Sequence, residues 1–254
     1  MGRGWVYRSN THANENCYIR ANRDRFRTRV TNSAGAMKRS RTELESVSAR
    51  TLEHYDERAD AFWEGTRAHD VSQNIAALLD AIEGEAPFTI LDLGCGPGRD
   101  LKTFRELGHV AVGLEGSARF AAMARSFSGC EVWQQDFLAM HLPAAAFDGV
   151  FANASLFHVP MQELPRVLEE LHAALRSGGV LFSSNPHGED TEGWSRGRFG
   201  AYLRLDTWRR YVSGAGFVEL GHYYRPPGLP RAQQPWLATV WRKASASHGR
   251  DHGA

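Results

Sequence analysis

The run Ile90-Leu91-Asp92-Leu93-Gly94-Cys95-Gly96-Pro97-Gly98-Arg99 constrains this chain more than any other segment. An apolar stretch ends in an acid, glycine then takes every second position, and a helical pattern follows. Glycine has no Cβ, so the backbone at Gly94, Gly96 and Gly98 can turn sharply and come close to a ligand. Asp92, at the strand end, can accept hydrogen bonds from an ammonium or hydroxyl group. In open α/β sheets, ligands bind beyond the carboxyl ends of the strands, where this loop would lie.

The following segments repeat the strand–helix alternation. Strands are predicted at Phe88–Leu93, Val110–Leu114, Cys130–Gln134, Phe147–Ala152 and Val180–Ser184, with helices at Arg99–Leu107, Ala118–Phe127 and Leu164–Leu175. Such alternation predicts a parallel sheet covered on both faces. Ser177-Gly178-Gly179 reads as a helix stop before the fifth strand. Upstream, Leu44, Val47, Thr51, Tyr55, Ala59 and Phe62 recur three to four apart, predicting one helix from Thr42 to Gly65. Val71, Ile75, Leu78, Leu79 and Ile82 predict a second helix, stopped at Gly84. Downstream, Asp206–Ala215 reads as a helix capped by Asp206. Phe217–Tyr224 and Trp236–Trp241 then form a direct strand–loop–strand return, which is antiparallel because a parallel pair needs a crossover. The fold class expected is α/β, a doubly wound seven-stranded sheet of five parallel strands plus a C-terminal antiparallel hairpin.

Charge is unevenly spread. Residues 1–50 hold eleven Lys/Arg and four Asp/Glu, a net of +7, whereas residues 51–254 carry −6. An acidic domain is a poor match for a phosphate backbone, which argues against nucleic acid as partner unless the basic tail supplies the contact. Residues 1–41 read as a disordered basic tail, 42–243 as the folded domain with a helical lid over 42–84, and 244–254 as a second disordered tail. A start at Met37 is an alternative reading of the first tail. No apolar run approaches the roughly 20 residues of a membrane span, and the N-terminus lacks a secretory apolar segment. Cys17, Cys95 and Cys130 offer neither a disulfide framework nor a Cys-x-x-Cys metal pair, so a cytoplasmic protein without metal is expected.

Three further landmarks fall in register with the glycine loop. Glu115, 23 residues after Asp92, ends the second strand and could accept both hydroxyls of a ribose. Gln135-Asp136-Phe137 follows the third strand, where a carboxylate can accept from an exocyclic amine and an aromatic can cover a ring. The fourth strand exits through the small residues Ala152, Asn153 and Ala154.

This ordered set resembles the class I S-adenosylmethionine-dependent methyltransferases over roughly residues 50–243, in the small single-domain manner of the ubiquinone/menaquinone C-methyltransferases. The resemblance implies S-adenosyl-L-methionine as cofactor, held by Asp92, Gly94, Cys95, Gly96, Gly98, Glu115, Gly116, Asp136, Phe137, Asn153 and Ala154. Glu115 would take the ribose, and Asp136 with Phe137 the adenine. It implies direct in-line methyl transfer to a small-molecule acceptor, for which alignment and water exclusion matter most. His158 is the candidate base, since imidazole titrates near neutral pH. Tyr55, Trp63 and Arg67 are lid candidates; Tyr55 and Trp63, eight apart, would nearly share a helix face. Asn185 and Arg198 belong to a segment, 185–202, that is too long for an ordinary turn. Trp194, Phe199 and Tyr202 there could wall a pocket, and Arg198 could clamp a carboxylate.

Asn153-Ala154-Ser155-Leu156 departs from the Asn-Pro-Pro-aromatic run of adenine N6- and glutamine methyltransferases, and no Pro-Cys pair suits a cytosine C5 enzyme. The glycine spacing departs from the dinucleotide fingerprint, with Arg99 where glycine is needed. Two alternatives stand beside the methyltransferase reading: a non-catalytic S-adenosylmethionine-binding regulator, and an RNA methyltransferase using the basic tail.

Overall fold

The computed structural model describes residues 38–244. The tail readings for 1–37 and 245–254 lie outside the described residues. Helix α1 (Arg41–Glu57) opens with a reciprocal cap: the Glu43 amide donates to Ser40 Oγ at 3.3 Å and the Ser40 amide to Glu43 Oε2 at 2.7 Å. This pairing satisfies two of the four orphan donors at the helix start. The single long helix expected here is two. Arg58, at φ −114° and ψ 16°, interrupts it, and α2 (Ala59–Thr66) follows. Helix α3 (Ser72–Leu79) completes the N-terminal helices.

Next come β1 (Thr89–Leu93), α4 (Arg99–Glu106), β2 (Val110–Glu115), α5 (Ala118–Ser128), β3 (Glu131–Gln134), β4 (Phe147–Asn153), α6 (Leu164–Ala174) and β5 (Leu175–Pro186). These five strands run parallel in the order β3-β2-β1-β4-β5. The glycine pair expected to stop the helix lies inside β5 instead. Leu175 already pairs with Phe147, the register then shifts, and Val180 pairs with Gly149. Gly178, at φ +76°, takes up the irregularity.

The long segment after β5 is an antiparallel hairpin of β6 (Thr191–Ser195) and β7 (Arg198–Tyr202), separate from the main sheet. Helix α7 (Leu205–Gly214) begins after Arg204, so the expected Asp206 cap is absent and Asp206 sits in the first turn. Then β8 (Phe217–Arg225) and β9 (Trp236–Lys243) return antiparallel, β9 pairing with β5 and β8 at the edge. The full order β3-β2-β1-β4-β5-β9-β8 matches the expected fold class.

Alternation along the strands divides the core in two. Leu91, Leu93, Val150 and Ala152 pack with Leu164, Val167, Leu168 and Leu171 of α6 and Trp208 and Val212 of α7. Ile90, Phe151 and Phe182 face the other way, onto Ile75 and Leu78 of α3, Leu101 and Phe104 of α4, and Ala121 and Ala124 of α5. Phe151 and Phe182 stack with centroids 5.0 Å apart. Each such fully buried side chain contributes about 1.5–3 kcal/mol of transfer free energy. Because the chain runs outward from β1 to β3 and restarts at β4, the carboxyl ends of β1 and β4 flank a topological switch point, where a crevice forms.

Candidate active site

Asp92 stands at that switch point, in register with Gly113 of β2 and Phe151 of β4. It is buried, and its Oδ2 has no hydrogen-bond partner. Burial, then the neighbouring Asp100 carboxylate, holds its proton affinity well above the usual carboxylate range. Glu115, also buried, accepts from the Gly96 amide at 2.9 Å through Oε2 and from the Ser117 amide at 2.8 Å through Oε1. Burial outweighs these bonds and pushes its pKa up to about 7.

The glycines of the loop divide into two kinds. Gly94, Gly96 and Gly98 all have positive φ, at 72°, 53° and 93°. A Cβ on Gly96 would meet only Phe62 Cε1 of α2 at 4.0 Å, so the backbone there borders open space. A Cβ on Gly94 would lie 2.5 Å from Ser155 Cβ and 3.1 Å from Phe137 Cζ, placing the Phe137 ring over the loop. Gly98 also has a packing role. Its Cβ would lie 2.8 Å from Ala124 Cα, so this glycine serves the close approach of α4 and α5.

Helix α1 crosses the crevice. Ser48 Oγ donates to Asp136 Oδ2 at 2.6 Å, while Asp136 Oδ1 accepts from the Leu138 amide at 2.8 Å. Leu52 covers Gly116, where a Cβ would stand 2.6 Å from its Cδ2. Asp56 accepts from Ser117 Oγ at 2.5 Å and from the Arg119 amide at 3.0 Å. Beside these contacts a groove of about 480 Å³ is lined by Arg50, Leu52, Glu53, Asp56, Gly116 and Gln134. That is the size range of small-ligand sites.

Tyr55 and His158 meet across 103 residues of sequence, with the hydroxyl 2.7 Å from Nε2. His158 Nδ1 lies 2.6 Å from the Phe199 carbonyl oxygen. A carbonyl only accepts, so Nδ1 carries the proton and Nε2 accepts from Tyr55. Burial lowers the His158 pKa to about 3, against the Phe199 bond, with Arg198 and His54 adding to the drop. The imidazole is therefore neutral near pH 7, and both nitrogens are engaged.

Other expected site residues are placed elsewhere or already committed. Trp63 packs edge-on against Phe127, centroids 4.7 Å apart, and exposed Arg67 pairs with Glu64 at 3.0 Å. The break at Arg58 separates both from Tyr55. Asn153 accepts from Asn74 at 2.9 Å and donates to Asp100 at 3.3 Å, tying α3 to the β4 exit. The Ala154 amide, expected to face a ligand, donates to the Ser184 carbonyl at 2.8 Å. Cys95, within the loop, is buried. Asn185 lines a small apolar cavity of about 10 Å³ with Leu156, Phe157 and Trp208, room for about one water. Ser48, Asp56, Asn74 and Asp100 were not foreseen. No short motif marks them, because each acts through a partner distant in sequence. No helix among the described residues is long and apolar enough to cross a membrane.

The raised Glu115 pKa has a measurable sign. The unfolded chain loses this proton near 4.5 and the folded protein near 7. Between those values the folded state binds more protons, so stability of the ligand-free protein declines as pH rises through the window. The decline is on the order of 3 kcal/mol. His158 acts oppositely: neutral when folded, it lowers stability as pH falls below 6.5. Glu115→Gln should remove only the first effect. Its urea midpoint relative to the parent should rise between about pH 5 and pH 7.5, and a constant difference would refute the assignment.

Residues 90–179 match the family model of a methyltransferase domain. The chain is 38% identical over 104 residues to the trans-aconitate 2-methyltransferase of Azoarcus sp. (strain BH72), covering 40% of each chain. It is 36% identical over 93 residues to the malonyl-[acyl-carrier protein] O-methyltransferase of Enterobacter lignolyticus, covering 36% of each. The chain thus spans about two fifths of the length of these curated relatives. Among solved structures, the Burkholderia thailandensis 1,6-didemethyltoxoflavin-N1-methyltransferase, solved with 1,6-didemethyltoxoflavin and S-adenosylhomocysteine, superposes with a TM-score of 0.66 at 20% identity. That match covers 84% of this chain and 94% of the other. With the strand order, the glycine loop and the strand-end acids in place, residues 90–179 match a methyltransferase domain, and the chain has the fold of the solved S-adenosylmethionine-dependent methyltransferases it superposes on.

Proposed function

We propose that this protein transfers a methyl group from S-adenosylmethionine to a small-molecule acceptor by direct in-line displacement. The observation that carries the reading is the buried Asp92 oxygen without a partner at the β1–β4 switch point. A buried carboxylate oxygen is costly unless it is paired, and an ammonium group is its natural partner. Asp92 would hold the amino group of the cofactor's methionine part and Glu115 the ribose hydroxyls. Asp136 and Phe137 would take the adenine. When bound, the cofactor supplies an electrophilic methyl carbon on a sulfonium. The chain's own task is then to align the acceptor and exclude water. Helix α1 is suited to the second task, since Leu52, Asp56 and Tyr55 tie it across the crevice. The two relatives named for methylating small acids or carrier-bound acyl groups support a small acceptor. Cys95 and Cys130 are both free thiols, in keeping with a reducing cytoplasm.

Isothermal titration with S-adenosylmethionine, S-adenosylhomocysteine and NADH tests the reading. Binding of the first two near micromolar Kd, about −8 kcal/mol, with none for NADH, is expected. Absence of binding to either sulfur compound would refute it.

A further inference from the structure

We propose that Leu52 of helix α1 is a cofactor-binding residue, the apolar wall for the purine of S-adenosylmethionine, in place of a side chain that Gly116 lacks; this rests on the methyl-transfer reading above. Strands β2 and β3 are neighbours with Glu115 in register with Gln134, so Glu115 and Asp136 leave the sheet from adjacent strands. A nucleoside reaching from one acid to the other must cross Gly116. Ligand rings bury their faces against apolar or aromatic groups, and a glycine offers none. The φ of Gly116 lies outside the left-handed region that Gly94, Gly96 and Gly98 occupy, so its backbone does not require a glycine. Space does. A Cβ there would stand 2.6 Å from Leu52 Cδ2 and 3.1 Å from Leu52 Cδ1. The leucine methyls thus occupy the volume into which a side chain at 116 would project.

The rest of α1 holds Leu52 in that place. Ser48, Leu52 and Asp56 recur every four residues, which puts them on one face of the helix. One turn before the leucine, Ser48 Oγ donates to Asp136 Oδ2 at 2.6 Å. One turn after it, Asp56 accepts from Ser117 Oγ at 2.5 Å. The helix is therefore tied to the exits of β3 and β2 on either side of Leu52. Packing of the core does not account for the residue. Leu52 is half-buried and belongs to neither core cluster, whereas Leu44, two turns earlier, is buried in one of them. The groove of about 480 Å³ opens beside Leu52 and Gly116, with Gln134 and Asp56 also lining it. The leucine bounds this space and leaves it open.

Titration calorimetry of the full chain tests the assignment with two ligands, S-adenosylhomocysteine and methylthioadenosine, which keeps the purine and ribose but lacks the amino-acid part. No binding of S-adenosylhomocysteine to the parent would overturn the methyl-donor reading and this inference with it. With the parent binding, Leu52→Ala should weaken both ligands by the same factor, about five- to tenfold, because the lost apolar contact is at the purine end. Its ligand-free melting temperature should stay near the parent's, since Leu52 lies outside the core. The reciprocal variant Leu52→Ala/Gly116→Leu returns an apolar side chain to the same space from the loop, and should recover most of the affinity. Unchanged affinity in Leu52→Ala would remove the residue from the site, and tighter binding would make it a plug that the cofactor displaces. Either result overturns the inference while leaving the cofactor reading intact. So would a loss confined to S-adenosylhomocysteine, or a reciprocal variant that recovers nothing.

Discussion

Asp92→Asn should weaken S-adenosylhomocysteine binding by about 100-fold while making the ligand-free protein more stable. The two effects have opposite signs because the residue is placed for a ligand and not for the fold. Its Oδ2 is buried without a partner, Asp100 is close by, and both facts oppose ionisation. An amide of the same shape removes the buried charge problem, and relief of about 1 kcal/mol is typical when a functional site gives up such strain. It also removes the anion that an ammonium would pair with, worth about 1.5–3 kcal/mol for a hydrogen bond to a charged group. Titration calorimetry reads the first effect and urea unfolding of the ligand-free protein the second. Loss of both affinity and stability would make Asp92 a structural acid of the sheet.

The second large effect separates two glycines that look alike in sequence. Gly98→Ala puts a Cβ 2.8 Å from the Ala124 backbone at a φ of +93°. Neither α4 nor α5 can yield without disturbing the core around Leu101 and Phe104. A destabilisation of about 3 kcal/mol is expected from overpacking and left-handed strain together. For a chain of this size that lowers Tm by about 10 °C. Gly96→Ala meets nothing nearer than Phe62 at 4.0 Å, so only the conformational cost of about 1–2 kcal/mol applies. Its main loss should appear in cofactor affinity. Thermal melts of the two ligand-free variants, set beside their titrations, check the contrast. Equal melting losses would mean that both glycines serve packing.

Much of the scaffold was legible in the sequence. The order and direction of the strands followed from apolar runs, glycine positions and the lengths between them, because burial and backbone φ leave local marks. Asp92 and Glu115 fell at strand ends for the same reason. Where expectation failed, a non-local effect prevailed. The helix from Thr42 shows unbroken periodicity, yet it divides at Arg58, where Asp56 and its carbonyl bind Ser117 and Arg119 across the crevice. Gly178-Gly179 resembles a helix stop, but β5 is already paired at Leu175 and uses the glycines as an irregularity. The segment 185–202 lacked a clear strand signal, and its hairpin is held from outside, with Arg50 over Trp194 and the Phe199 amide on Thr51.

The sequence by itself determined the sheet, the glycine loop and the acids at its rim, since each depends on neighbours along the chain. Only the tertiary structure decided which glycine faces the crevice and which faces a helix, and which polar groups share one environment. Tyr55, His158 and Arg198 come from helix α1, the exit of β4 and an inserted hairpin. Their meeting depends on how those three elements seat against each other, and packing between distant segments leaves no periodicity in the chain to read.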